Sequence, residues 1–154
     1  MINYCEPFFI LRGEERMQTK HYLTLSDAEF LLDQAHQYAV EKKFNVSIAI
    51  VDETGNLLAM KRMDGASPMT ANLCLEKAKC SAISRKPSAL FENLIKNGQM
   101  GFLTMDSFSG MLEGGEPIIY EGQLVGAVGV SGVKSFEDAE IAQVTIKQFL
   151  EQVN

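Results

Sequence analysis

The residues of this chain that could do chemistry are few and scattered, and most are either charges beside glycine-rich bends or soft sulfur and imidazole donors. Gly114-Gly115, followed by Glu116-Pro117, sets consecutive backbone N–H groups where they can hold an anion such as a carboxylate. A plain loop would use the same residues. Ser131-Gly132 stands just before the last expected helix, whose amino end carries partial positive charge and free N–H groups. Ser135 and Asp138 compete for those groups as caps. Arg62 suits bidentate pairing with a carboxylate, unless Asp64 holds it in a structural pair. Lys77 falls between two apolar stripes of its helix, so its ammonium can reach toward a cavity or toward water. Lys77 or Asp64 acting as general base, with the Gly114-Gly115 or Ser131-Gly132 amides facing an enolate, would make an isomerase or lyase of a small carboxylate.

Metal chemistry has less to draw on. His36 borders an apolar stripe near Leu32 and Val40 and is the candidate metal ligand; His21 precedes its helix with nothing to orient it. Met60, Met63, Met69, Met100, Met105 and Met111 crowd the middle of the chain, where they read first as lining for a core or pocket. Cys5, Cys74 and Cys80 are odd in number and follow no metal or disulfide spacing, which points to a reducing cytoplasm. The run 126–132, GAVGVSG, has glycine spacing reminiscent of a nucleotide loop, but it closes a hairpin instead of joining a first strand to a helix.

These residues need elements to position them. Ser26 and Glu29 have the spacing of a capping box, with Leu25 and Phe30 as a staple, so a helix is expected over 27–42. Its stripe is Ala28, Leu31, Leu32, Ala35 and Ala39. Residues 46–52 and 57–63 form strands around the turn at Gly55. Ser67-Pro68 opens a helix to about 84, a hydroxyl cap before a first-turn proline. That helix is apolar on two sides, as expected of one buried from two directions, one of them a second subunit. A short helix follows from 87 to 98, and 99–115 reads as loop with a short strand. Strands at 118–120 and 124–131 flank Glu121-Gly122, and a final helix runs over 136–152. Short hairpins pair strands antiparallel. The expectation is an α/β (α+β) domain with about five antiparallel strands and flanking helices.

Along the strand 124–131, Leu124, Gly126, Val128 and Val130 should share one face and Val125, Ala127, Gly129 and Ser131 the other. Glycine within a strand marks the close approach of a ligand or of another backbone. Here the first would make a binding face, and the second a tight contact with Ala71, Cys74 and Ala78.

The totals limit the partners. One domain fits 154 residues, with residues 1–16 read as an N-terminal arm or non-native extension and 17–154 as the domain. A net charge of -6 disfavours nucleic acid and anionic lipid. No apolar run reaches the ~20 residues of a membrane span.

Several segments resemble the GlcG/HbpS family: VSIAIVDETGNLLAMKRMDGA at 46–66, LEKA at 75–78, GGEP at 114–117, and LVGAVGVSG at 124–132 with Glu137-Asp138 and Ile141-Ala142. The resemblance covers about residues 23–150. It implies a profilin-like, three-layer fold with a five-stranded antiparallel sheet, assembly into a homo-oligomer, and binding of haem or a corrinoid. Arg62, Asp64, Lys77, Gly114, Gly115, Ser131, Gly132 and Asp138 match family motif positions, whereas the family's motifs carry no iron ligand, so His36 rests on its own position. The expected function is an oligomeric small-molecule-binding protein for haem or another tetrapyrrole. The alternatives are the small-carboxylate enzyme above and a ligand-free accessory subunit.

Overall fold

The structure, a computed structural model, describes residues 17–153; the expected arm at 1–16 lies outside them. Elements follow in the order α1 (Leu25–Lys42), β1 (Ser47–Asp52), β2 (Leu57–Arg62), α2 (Pro68–Ser84), α3 (Ala89–Lys96), a 3-10 helix (Met100–Thr104), β3 (Gly115–Tyr120), β4 (Gln123–Ser131) and α4 (Ser135–Val153).

Three helix starts differ in detail from the sequence expectation. Thr24, not Ser26, caps α1: its hydroxyl accepts the Asp27 N–H while the Asp27 carboxylate accepts the Thr24 N–H. An acidic side chain at the third helical position serves the box as well as Glu does. Ser67 makes no side-chain cap bond, and Pro68 alone marks the start of α2. At α4 the Glu137 carboxylate accepts the Lys134 N–H, so neither Ser135 nor Asp138 takes the expected capping place.

The sheet has four antiparallel strands in the order β2-β1-β4-β3, not five. The strand expected within 99–115 does not form. The segment carries glycines and no alternation; it winds into the 3-10 helix and then packs on α2.

Strand alternation divides the core into two layers. Ile48 and Ile50 of β1, with Val128 and Val130 of β4, join Leu31, Leu32, Ile141 and Phe149 of α1 and α4. Ala49, Val51 and Ala127 face the other way, against Cys74, Ala78 and Ala82 of α2. Burying this apolar surface is the main force holding the layers together. The expected alternation holds from Gly126 onward and fails at Val125, which joins the α1/α4 layer. Ile118 pairs with Gly126 but Ile119 with Leu124, so Val125 is the extra residue of a bulge, which re-aims its side chain.

Small residues form a row across the sheet under α2: Ala49 pairs with Gly129, and Gly129 with Gly115. This trough lets the helix backbone come unusually close. A Cβ at Gly129 would lie 2.0 Å from the Cys74 carbonyl oxygen, and one at Gly115 2.1 Å from that of Lys77. Gly110, at φ +71°, brings the incoming loop equally close to the Glu76 carbonyl from another direction. No described helix is long and apolar enough to cross a membrane.

Candidate functional site

The row of glycines settles one open question about binding. At Gly129 the close approach is made by α2, whose Cys74 carbonyl and Ala78 amide and side chain fill the space. The expectation that Gly129 contacts a ligand gives way to a helix–sheet contact, because no room remains between β4 and α2 at that point.

Beside this contact, the structure brings together six of the residues singled out in the sequence. Lys77 Nζ donates to Asp138 Oδ2 at 2.8 Å and to the Val130 carbonyl at 3.0 Å. Asp138 Oδ1 accepts the Val133 N–H at 3.1 Å, and its carboxylate also takes the Gly132 N–H. Gly114, at φ +124°, lies against both side chains; a Cβ there would be 2.9 Å from Lys77 Nζ. Gly115 donates its N–H to Ser88 Oγ at 2.8 Å. Ser131 is buried beside Ser47 in the paired strands. Burial pushes the Asp138 carboxyl up, while Lys77 and the two N–H groups draw it back. The cluster therefore ties α2, β4 and α4 into one unit, and of the amides that the sequence offered to an anion, that of Gly132 is taken by Asp138 and that of Gly115 by Ser88.

The other candidates lie apart. Arg62 and Asp64 are exposed at the end of β2 and form no ion pair with each other. His36 is half-buried on α1, on the sheet face opposite α2. Among the described residues no three His, Cys, Asp or Glu side chains gather as a metal site. The buried thiols of Cys74 and Cys80 are pushed up to about 12 by desolvation, so neither is a nucleophile at neutral pH.

A wide concave surface lies elsewhere, between α3 and residues 102–112. It is an open groove of about 620 Å³. Its walls are apolar: Ile95, Phe102, Met105, Phe108, Met111 and Leu112. α3 explains why it exists. The helix carries Leu90, Phe91, Leu94 and Ile95 on its apolar side, yet none of its residues is fully buried. Phe91 supports the floor through edge-on contacts with Phe102 and Phe108, at centroid distances of 5.4 and 5.0 Å. A bond between Ser109 and Glu76 fixes the far wall to α2.

One edge of the groove is polar. Glu92 accepts from Lys96 Nζ at 2.5 Å and from the Glu113 N–H at 2.6 Å. Burial pushes the Glu92 carboxyl up, but these two donors outweigh it and hold it below the usual range. Lys96, raised by the same pairing, stays a cation on the rim. Among the residues weighed for chemistry in the sequence, only Met105 and Met111 line this groove. Its phenylalanines carry no motif, and only the apolar side of α3 could have pointed there.

Comparison with known proteins agrees with this architecture. Residues 23–147 match the family described as haem degrading protein HbpS-like. Protein GlcG of Escherichia coli K12 is 37% identical over 115 residues, covering 75% of this chain and 85% of that one. The structure of Klebsiella pneumoniae protein ORFY superposes with a TM-score of 0.81 at 27% identity, covering 89% of this chain and 97% of the other. Streptomyces reticuli HbpS, solved as a double mutant, gives 0.77 at 25% identity, covering 88% and 92%. PduOC, solved as a complex with haem, gives 0.72 at 24% identity, covering 82% and 94%, a likeness of fold.

Proposed function

The chain belongs to the HbpS-like family, and from that premise we propose that it is a small-molecule-binding protein that takes haem or another tetrapyrrole in the groove along α3. The observation that carries this reading is the groove itself. Its volume of about 620 Å³ falls in the ~300–1,000 Å³ range of small-molecule sites, and aromatic and thioether side chains line it together with a few polar groups, Glu92 and Lys96 at one edge and Asp106 and Ser109 elsewhere. That distribution suits a flat ligand with an apolar body and carboxylates at one end. Phe102 and Phe108 would pack on the ring, Lys96 would face a carboxylate, and Met105 and Met111 bring donors that iron accepts. A bound tetrapyrrole would supply its metal centre; the protein's part is to bury the ring and orient its charged edge. The family's description as haem degrading and the haem complex of PduOC agree with this choice of ligand.

We also propose that the chain forms a homo-oligomer. Met69 and Ile83 on α2, and Leu90 and Leu103 beside the groove, leave apolar surface exposed on the described chain. Sedimentation of the purified protein should show a multimer.

Titration with hemin tests the binding reading. The native chain should give a saturable Soret shift at micromolar hemin, and Phe102→Asp, which puts a charge on a half-exposed apolar wall, should abolish it while leaving the circular dichroism spectrum unchanged. No saturable shift with the native chain would remove the proposal. Unaltered binding by Phe102→Asp would move the site away from α3.

A further inference from the structure

We propose that this chain offers haem iron a thioether ligand, from Met105 or Met111 in the groove along α3, and that it therefore prefers ferrous to ferric haem. The inference rests on the reading that the groove takes haem, and adds which atoms meet the iron and which oxidation state they favour.

The argument is one of donors. No histidine, cysteine or tyrosine lines the groove. The side chains there that can donate to iron are Glu92, Lys96, Met105, Asp106, Ser109 and Met111. Four of these are occupied or unsuited. Glu92 spends its oxygens on Lys96 and on the Glu113 N–H. Lys96, bound to Glu92, keeps its proton and has no lone pair to give. Ser109 is bonded to Glu76, on the wall facing α2. Asp106 is exposed, and a hydrated carboxylate gains little by entering an apolar groove.

The two thioethers have neither obstacle. They need no deprotonation, no hydrogen bond holds them, and they belong to the apolar wall that the ring would cover. Met105 follows the 3-10 helix on one side of the groove, while Met111 follows Gly110, which is pinned on α2. Either methionine would hold the iron by donating a sulfur lone pair to it. No proton or electron moves.

A neutral, soft donor stabilises the lower oxidation state, and methionine ligation raises haem reduction potentials. Ferrous haem should thus bind more tightly than ferric, by about tenfold or more. For a one-electron couple, tenfold corresponds to a potential about 59 mV higher for bound than for free haem.

The test uses the full chain with hemin, in air and after anaerobic reduction with dithionite. The native chain should show the ferrous preference and, by resonance Raman, an iron–thioether signature. Met105→Leu/Met111→Leu conserves volume. It should still bind haem, because the apolar walls remain, but with a ferrous-to-ferric affinity ratio near one. Retention of the preference in that double variant would overturn the inference, as would its loss on His36→Ala. Tighter binding of ferric haem by the native chain would also overturn it, pointing to Asp106. If neither oxidation state binds, the groove reading fails and takes this inference with it, an outcome distinct from haem binding that is indifferent to the two methionines.

Discussion

Lys77 and Asp138 meet at 2.8 Å with both side chains only 3% exposed, so a charge pair sealed from water joins α2 to α4. Such a pair is held less by its own net gain than by the cost of undoing half of it. Removing one partner leaves an unpaired buried charge, which typically costs ~3–5 kcal/mol.

Lys77→Met should therefore destabilise the chain by about 3–5 kcal/mol in urea unfolding. Lys77→Met/Asp138→Asn should recover most of that loss, because asparagine still accepts the Val133 N–H and no lone charge remains. Equal destabilisation in the single and double variants would show that the lysine stem matters more than its charge.

Gly129 gives a sharper test of the trough beneath α2. A methyl group there would meet the Cys74 carbonyl at 2.0 Å, backbone against backbone, with no flexible side chain to yield. Gly129→Ala should cost at least about 3 kcal/mol, the upper end of ordinary overpacking. Gly101→Ala, where a Cβ meets nothing within 4 Å, should stay within about 0.5 kcal/mol of the native chain. The comparison separates a steric requirement from a general intolerance of added methyl groups.

How far the fold could be read from sequence follows from the same contacts. Element order was legible because α1, α2 and the paired strands carry strong periodic patterns with proline and glycine at their bounds. The fifth strand was an error of kind, since residues 99–113 satisfy themselves by docking on α2 and α3 and pair with no strand. The glycines of β4 were correctly read as a close approach, but sequence alone does not say whether a ligand or a helix approaches. The groove was nearly invisible, because its lining comes from phenylalanines and methionines that elsewhere would simply be core. Lys77 and Asp138, 61 residues apart, carry no local sign that they are partners.

Glu116 supplies a pH test. It is 7% exposed, and its Oε1 accepts from Gln143 Nε2 at 3.0 Å. Burial pushes its carboxyl above the ordinary range, Gln143 draws it back, and Glu113 adds to the rise. A group with a raised folded pKa adds stability below its unfolded value, and that contribution is lost as pH rises through the folded value. At neutral pH the buried carboxylate is therefore a cost. Glu116→Gln should be more stable than the native chain at pH 7 by about 1 kcal/mol, with the difference vanishing near pH 4. A gain that is the same at both pH values would trace to packing instead of charge.

The charged edge of the groove makes a final prediction, about ligand approach. Lys96 is the groove's cation, and its side chain is 66% exposed, so whatever attraction it exerts acts through water and is screened by salt. An exposed charge of this kind contributes mostly to the rate of encounter and little to the lifetime of a complex. Lys96→Gln should lower hemin affinity by roughly two- to fivefold at low ionic strength, the equivalent of an exposed ion pair. Stopped-flow mixing should place that loss in the association rate. At about 1 M salt, where the screening length falls to about 3 Å, native and variant rates should converge. A loss that persists at high salt and resides in dissociation would mean that the ammonium is desolvated against a carboxylate in the complex. An unchanged rate at low salt would mean that the ligand's charged end leaves by the opposite side of the groove, away from α3.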